Sequence, residues 1–186
     1  DPRELDVLAA LMAAGLGRYH LRKPHWPRER LAAWLAAVPE AWRRRLVLHQ
    51  HHDLAGPFGC AGVHHKDGAP DPAPVPGLFR SRACHDLATL EAALGRCDAV
   101  LFSPVFPSIS KAGYRPSADF RALAERLARR TAAERRTEVI ALGGITPDRG
   151  ARCAAFGFDG VAVLGALWQA DDPSRVFAAL QRALPV

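Results

Sequence analysis

The stretch EVIALGGITPDRGARCAAFGFDGVAVLG, residues 138–165, decides the fold. It opens with an apolar strand at Glu138–Leu142 that ends in two glycines. Thr146 and Pro147 then supply a good N-cap and first turn for a helix. A second apolar strand follows at residues 159–164 and ends in a third glycine. This order predicts two parallel strands joined by a helix, the unit of an α/β protein.

The same alternation of strand and helix runs through the rest of the chain. Further strands are predicted at 18–22, 46–49, 60–65, 78–84 and 99–103, and further helices at 1–14, 27–38, 86–94, 117–133 and 173–184. Seven strands preceded by one helix suit either a doubly wound sheet or an eight-stranded barrel. We expect the α/β barrel, a (βα)8 TIM barrel whose first strand lies upstream of residue 1. Residues 1–186 are expected to form a single domain of this kind.

Composition narrows the class of protein. Of 186 residues, 49% are hydrophobic and 24% charged, which is typical of a globular chain and unlike disordered or coiled-coil sequences. The net charge is +6, but the basic residues lie in helical stretches mixed with Glu, so we expect no nucleic-acid partner. No apolar run is long enough for a membrane span, and the first residues lack a signal-peptide core. A cytoplasmic protein with four reduced, scattered cysteines is therefore predicted.

Glycines at the ends of the last two strands predict an anion site. At Gly143, Gly144 and Gly165, backbone N–H groups can approach an anion because no Cβ intervenes. In TIM barrels the loops after strands seven and eight commonly hold a phosphate. Tight turning alone would also explain these glycines. If they hold a phosphate, we expect Gly144→Asp to abolish binding and leave the fold intact.

Histidine is frequent, with eight residues in the chain, and most lie at or near predicted strand ends. These are His20, His49, His51, His52, His64, His65 and His85. Because TIM-barrel active sites lie at the carboxyl ends of the strands, the pattern indicates a site there. For any single histidine, an ordinary hydrogen-bonded role is the alternative. Neutral imidazoles could also ligate a transition metal, although no helical H-x-x-x-H spacing or carboxylate triad accompanies them.

A loop rich in Ser and Pro, residues 103–111, follows the strand at 99–103 and ends at Lys111. Lys111 could hold an anionic group as a point charge, or it could be a solvated surface lysine.

Several segments resemble the thiamine phosphate synthase family and the related thiazole tautomerases. FSPVFPSISK at 102–111 resembles the family's GPVFPTxTK loop, and IALGGI at 140–145 resembles its IGGI strand. Shorter segments agree in the same order: HLRK at 20–23 with QLREK, GVH at 62–64 with G[IV]H, CH at 84–85 with the end of GVSAH, and GVAV at 160–163 with the last strand. The resemblance spans the whole chain and favours the barrel.

The resemblance implies an enzyme that joins a pyrimidine diphosphate to a thiazole phosphate and releases diphosphate. In the family, Mg²⁺ held by aspartates neutralises the leaving group. Carried over by position, Arg22 would face the diphosphate and Lys111 would contact it from the loop. Gly143, Gly144 and Gly165 would hold the thiazole phosphate. The implied partners are these small phosphorylated substrates and, in a homo-oligomer, further copies of the chain.

The chain departs from the synthase pattern at its metal and diphosphate residues. The family's NDD segment is replaced by residues 49–51, His-Gln-His, which leaves Asp67 as the candidate carboxylate for Mg²⁺. The lysine of QLREK falls on Pro24, and the neighbouring Lys23 belongs to the opposite strand face.

Two other functions therefore stay open. In a tautomerase, the family's loop histidine would fall on Pro104, so His49, His64 or His85 would have to shuttle the proton. A sensor would keep the phosphate site and lack the chemistry.

Overall fold

The structure of the protein, a computed structural model, describes residues 2–70, 75–107 and 119–184. Within these ranges, all seven predicted strands are present: β1 (Tyr19–Leu21), β2 (Leu46–Leu48), β3 (Gly62–His65), β4 (Phe79–Cys84), β5 (Ala99–Phe102), β6 (Glu138–Leu142) and β7 (Gly160–Ala162). The helices are α1 (Glu4–Ala13), α2 (Arg28–Ala37), α3 (Glu40–Arg43), α4 (Leu87–Ala93), α5 (Phe120–Ala128), α6 (Pro147–Ala155), α7 (Gly165–Trp168) and α8 (Pro173–Ala183). Two single-turn 3₁₀ helices lie at His52–Leu54 and Glu134–Arg136.

The strands form one parallel sheet in the order β1-β2-β3-β4-β5-β6-β7. Because each strand pairs with the next and such crossovers share one hand, the connecting helices lie on one face of the sheet. A doubly wound sheet, which has helices on both faces and a reversal in strand order, is thereby excluded.

The sheet curls strongly. Arg18 precedes β1 and Glu138 begins β6, five strands away, which is about 24 Å across a flat sheet at the usual strand spacing. The Arg18 guanidinium nevertheless lies 2.9 Å from the Glu138 carboxylate. The inner face of the sheet is therefore concave, as in a TIM barrel.

Side chains alternate between the two faces of each strand. On β1 to β3, Leu21, Leu48 and Val63 are buried against the helices, together with Leu31 and Leu35 of α2. Between them, His20 on β1 and His64 on β3 belong to the inner face. Side chains on the outer face of the later strands pack against α4, α5 and α6 and form a second apolar core. This core includes Cys84, Phe102, Leu123, Val139 and Cys153.

The first and last helices pack against each other. Val7 and Leu11 of α1 form a small apolar cluster with Leu167 and the partly buried Phe177. The Gln181 side chain donates a hydrogen bond of 2.9 Å to the Ala14 carbonyl. The outer layer of helices thus continues from α8 to α1. The described sheet holds seven strands and does not pair β7 with β1, so the fold is TIM-barrel-like and an eighth strand stays a prediction.

Two helix boundaries differ from the sequence-based expectation. The helix predicted over 117–133 begins after the Asp119 cap and ends at Ala128, because the buried Arg130 side chain turns away to Asp159. The helix predicted at 1–14 begins at Glu4, its N-cap Arg3 makes no side-chain capping bond, and Asp1 lies outside the described residues. The short helix α3 was not predicted. In the part of the chain described, no helix is long and apolar enough to cross a membrane.

Candidate functional site

Three histidines from neighbouring strands meet on the concave face. The Leu48–Val63 pair of β2 and β3 puts His49 beside His64 in the next register position. The imidazole rings of His49 and His64 stack with centroids 4.2 Å apart. His20 of β1 meets them edge-on, with centroids 5.2 Å from His49 and 5.4 Å from His64. We call His20, His49 and His64 the histidine cluster.

Hydrogen bonds orient the rings of the histidine cluster. His20 Nδ1 lies 3.1 Å from His49 Nε2, so one of these nitrogens donates to the other. His64 Nδ1 lies 2.9 Å from the hydroxyl of Ser81, its register partner on β4. The Ser81 hydroxyl also lies 3.4 Å from the Val63 carbonyl, which can accept its proton. Ser81 can then accept from His64 Nδ1–H, so that Nε2 carries the lone pair.

The histidine cluster is electrically neutral at neutral pH. Burial lowers the pKa of His20 to about 4, that of His49 to about 3 and that of His64 to about 2. Nearby positive charge adds to this effect of burial: Arg18 lowers the pKa of His20, and Arg22 lowers that of His49. The neighbouring imidazoles further lower the pKa values of His49 and His64. A proton shuttle works best with a pKa near the working pH, so at neutral pH these rings are weak bases and poor proton shuttles. They remain good hydrogen-bonding groups and ligands.

Arg22 and Lys23 leave β1 in opposite directions. Arg22 is exposed and lies two residues after His20, on the same alternating face. The Lys23 ammonium lies 2.5 Å from the Glu4 carboxylate of α1, on the helix side, and Glu4 also accepts a 2.8 Å hydrogen bond from Tyr19. Lys23 therefore forms an ion pair that holds α1 against the sheet. Of the two cations, Arg22 is therefore the one placed to contact a ligand on the inner face.

Residues that replace the family's aspartates have structural partners. The Gln50 side-chain oxygen accepts a 3.3 Å hydrogen bond from the Lys23 backbone N–H, which ties the ends of β1 and β2 together. His51 takes a left-handed backbone conformation, with φ of 51°, and its Nε2 lies 2.9 Å from the Trp26 carbonyl. Neither group is a carboxylate that could hold Mg²⁺.

His85 lies at the carboxyl end of β4, beside the loop that follows β5. Its Nδ1 is 2.7 Å from the Ser103 carbonyl, to which it must donate. The remaining nitrogen, Nε2, is then the basic one in the neutral ring. Pro104, at the position of the tautomerase histidine, is the next residue after this carbonyl. His85 therefore brings an imidazole to the neighbourhood of that position from a different strand.

The two glycines after β6 turn tightly against the loop that follows β5. Gly143 and Gly144 have φ of +95° and +64°. Val105 and Phe106 donate backbone hydrogen bonds to the Leu142 and Gly143 carbonyls, at 2.9 and 3.0 Å. A Cβ on Gly144 would lie 2.4 Å from the Pro107 carbonyl oxygen. The expectation that Gly144→Asp leaves the fold undisturbed is therefore revised: we expect it to destabilise the turn, because the backbone of residue 107 lies where the new side chain would go.

The other predicted site residues are placed as follows. Gly165 is the first residue of α7, three residues after the end of β7. Asp67 follows β3 by two residues, and one of its oxygens accepts a 2.9 Å hydrogen bond from the Gly68 N–H. Lys111 lies outside the described residues.

Within the described residues, one group of three potential metal ligands lies close together. This group is the histidine cluster, whose candidate ligand atoms all lie within 4.8 Å of one another. Asp67 is not part of it. The sequence indicated His49 and His64 but gave no reason to select His20 or Ser81. Alternation along β1 and β4 places His20 and Ser81 on the inner face, but only the pairing register between strands shows that they lie beside His49 and His64.

Comparison with known proteins decides the family. A model of the thiamine monophosphate synthase family matches residues 1–167. The chain belongs to this family. A putative thiamine-phosphate synthase of Geobacter sulfurreducens is 30% identical over 97% of this chain and 87% of its own length. The thiamine-phosphate synthase of Methylobacillus flagellatus is 32% identical over 91% of this chain and 83% of its own.

Solved structures agree with this family membership. Thiamine phosphate pyrophosphorylase from Bacteroides thetaiotaomicron superposes with a TM-score of 0.78 at 28% identity, covering 97% of this chain and 90% of that one. The resemblance drawn from the sequence is thereby confirmed. Relative to the family pattern quoted above, the histidine cluster is a departure at two of its three positions. His20 stands at the glutamine of QLREK and His49 at the asparagine of NDD.

Proposed function

We propose that the protein is a transferase of thiamine biosynthesis that couples a pyrimidine diphosphate to a thiazole phosphate. The bond to diphosphate breaks as the bond to the thiazole forms. The observation that carries this proposal is the family match over residues 1–167, with relatives at about 30% identity that are named thiamine-phosphate synthases. A complete eight-stranded barrel would require a strand between β7 and β1.

In the proposed reaction, the departing diphosphate needs positive charge beside it. Arg22 is exposed at the carboxyl end of β1, on the face of the histidine cluster, and is the first candidate. Lys111 is the second, by its position in the family's loop. A preorganised cation stabilises the charge that develops on a leaving group, and its removal typically costs about 10²-fold or more in turnover.

Mg²⁺, on which the family generally depends, would be held by Asp67 together with the substrate's own phosphate oxygens. Mg²⁺ is commonly bound by one or two carboxylates plus substrate phosphates, so this donor set fits. Asp67 is only partly buried at the carboxyl end of β3, and only its Oδ1 is bonded to Gly68. The ion would supply further neutralisation of the diphosphate. Gly143, Gly144 and Gly165 are the proposed contacts of the thiazole phosphate.

The decisive experiment incubates the protein with both substrates, with and without Mg²⁺, and follows product. We expect Arg22→Ala to lower turnover by about 10²-fold or more. Arg44→Ala is the matched control, because Arg44 is an exposed arginine at the C-terminal end of α3 and pairs only with the exposed Glu40 in the described part of the chain. We expect Asp67→Ala to remove the Mg²⁺-dependent part of the activity and Asp6→Ala, on exposed α1 surface, to leave it. Wild-type turnover in Arg22→Ala would contradict the proposed role.

Thiazole tautomerase is a second candidate function, favoured by the geometry of His85. Its Nδ1 is bound to the Ser103 carbonyl, so Nε2 is available to take a proton, beside the position where tautomerases carry their loop histidine. If this function holds, conversion of the thiazole tautomer should need no metal, survive Asp67→Ala and be lost in His85→Gln. Protein that is inert in both assays but still binds thiazole phosphate would indicate a sensor.

A further inference from the structure

We propose that His20, His49 and His64 form a three-histidine site for a divalent transition-metal ion, with Zn²⁺ as the preferred ion. The site lies inside the curled sheet and is separate from the single carboxylate proposed for Mg²⁺. It goes beyond the synthase function and does not depend on it.

The positions of the ligand atoms fit a compact ion. At a Zn–N distance of about 2.0–2.1 Å, two ligands of a tetrahedral ion are about 3.4 Å apart. His20 Nδ1 and His49 Nε2 are already 3.1 Å apart. The candidate ligand atoms of all three rings lie within 4.8 Å of one another, so small side-chain rotations would bring every pair to the tetrahedral distance. The ion would replace the hydrogen bond between His20 and His49.

The third ring is held in the orientation that a metal ligand needs. Histidine ligands usually donate their second ring N–H to an oxygen, which fixes the tautomer and the ring plane. His64 has such a partner, because its Nδ1 lies 2.9 Å from the Ser81 hydroxyl. Ser81 is fully buried, and its register pairing with His64 fixes the distance between the two residues. This leaves Nε2 of His64 as the ligand atom.

The donor set selects the kind of metal. Neutral imidazoles suit Zn²⁺ and related transition metals, whereas Mg²⁺ and Ca²⁺ prefer oxygen ligands. Three protein ligands also leave one position of a tetrahedral ion open, as in catalytic zinc sites. Arg22 lies close enough to act electrostatically on His49, so its charge favours an oxygen anion at the open position. A phosphate oxygen is an anion of this kind.

The test measures metal binding directly on the full chain. Protein stripped with a chelator is titrated with Zn²⁺ by calorimetry, with and without excess Mg²⁺, and its zinc content is then measured by elemental analysis. We expect about one equivalent of Zn²⁺ that excess Mg²⁺ does not displace. Single variants His20→Gln, His49→Asn and His64→Gln should each weaken binding by about 100-fold or more, since even loss of a supporting hydrogen bond costs about 10- to 100-fold.

Two further variants test whether binding is specific to the cluster. One controls for Zn²⁺ binding by other histidines, and the other controls for loss of binding through unfolding. His25→Gln, at an exposed loop histidine, should bind Zn²⁺ like the wild type. Ser81→Ala keeps all three ligands and should weaken binding by about 10- to 100-fold with the fold intact by circular dichroism. Absence of wild-type binding, equal loss in His25→Gln, or unchanged affinity in the cluster variants would overturn the proposal. Synthase turnover enters none of these readouts.

Discussion

Replacement of Gly144 by alanine measures how firmly the turn after β6 is held against its neighbour. Gly144 is buried with φ of +64°, and a Cβ there would lie 2.4 Å from the Pro107 oxygen and 2.8 Å from the Phe106 Cβ. Gly59 has the same φ of +64°, but a Cβ there would meet nothing within 4 Å. The two substitutions therefore share the cost of left-handed backbone and differ in the collision.

The magnitudes follow from these two terms. A non-glycine residue in the left-handed region costs about 1–2 kcal/mol, which is the whole expected effect of Gly59→Ala. Forcing an extra carbon into packed structure adds about 1–3 kcal/mol. We therefore expect Gly144→Ala to lower the free energy of unfolding by about 2–5 kcal/mol.

Urea unfolding of both variants, analysed by linear extrapolation, measures the difference. Gly144→Ala should be less stable than Gly59→Ala by about 1–3 kcal/mol. Equal losses in the two variants would refute the close packing of the turn against residues 104–107. Phosphate affinity should then be compared only at urea concentrations where both variants are folded, so that binding and stability are separated.

Three further predictions concern titratable groups. In metal-free protein, the histidines of the cluster take up protons near pH 6.5 when the chain is unfolded but not when it is folded. The free energy of unfolding should therefore fall as the pH drops below about 6.5, by up to about 1.4 kcal/mol per pH unit for each ring. Urea unfolding measured from pH 7 to pH 5 should show a smaller fall in His20→Gln than in the wild type. Burial opposes ionisation of Asp159, but hydrogen bonds from Arg130 and the Val139 N–H outweigh it and hold the pKa of Asp159 below its usual value. Asp159→Asn should then cost stability above about pH 4, and the difference from wild type should vanish as pH falls further. Burial raises the pKa of Cys60 and Cys153 to about 11 and that of Cys84 to about 12, so iodoacetamide at pH 8 should modify these thiols only after unfolding, as mass spectrometry would show.

Local patterns were sufficient to predict most elements. The strand predicted at 99–103 begins with four consecutive apolar residues, and β5 occupies these four, Ala99–Phe102, all of them buried. The helix predicted at 173–184 from its apolar spacing is α8, which begins at Pro173 after the Asp172 cap. These elements follow the sequence because the signals that start and stop them lie within a few residues.

Long-range contacts set what local patterns could not predict. The helix after residue 117 stops early because Arg130 binds Asp159, which lies 29 residues away. The histidine cluster depends on the register of three strands and on the curl that brings β1 toward β3. His20 lies in the sequence 29 residues from His49, and nothing near it indicates that the two rings touch. A family pattern does not help here either, because it has glutamine and asparagine at these positions.

The concave face is chemically divided, and the division bears on the proposed reaction. On β5 and β6 the inner positions carry apolar side chains such as Leu101, Ile140 and Leu142, the kind that fills a barrel interior. On β1 to β4 they carry the histidine cluster and Ser81, at a cost in desolvation that apolar residues would avoid. The concave face thus has a polar side, formed by β1 to β4, and an apolar side, formed by β5 and β6 and ending in the glycine turn. Two such different sides suit a reaction between two unlike substrates. Under the proposed function, the histidine side, with Arg22, is where we expect the diphosphate-bearing substrate, and the glycine side is where we expect the thiazole phosphate.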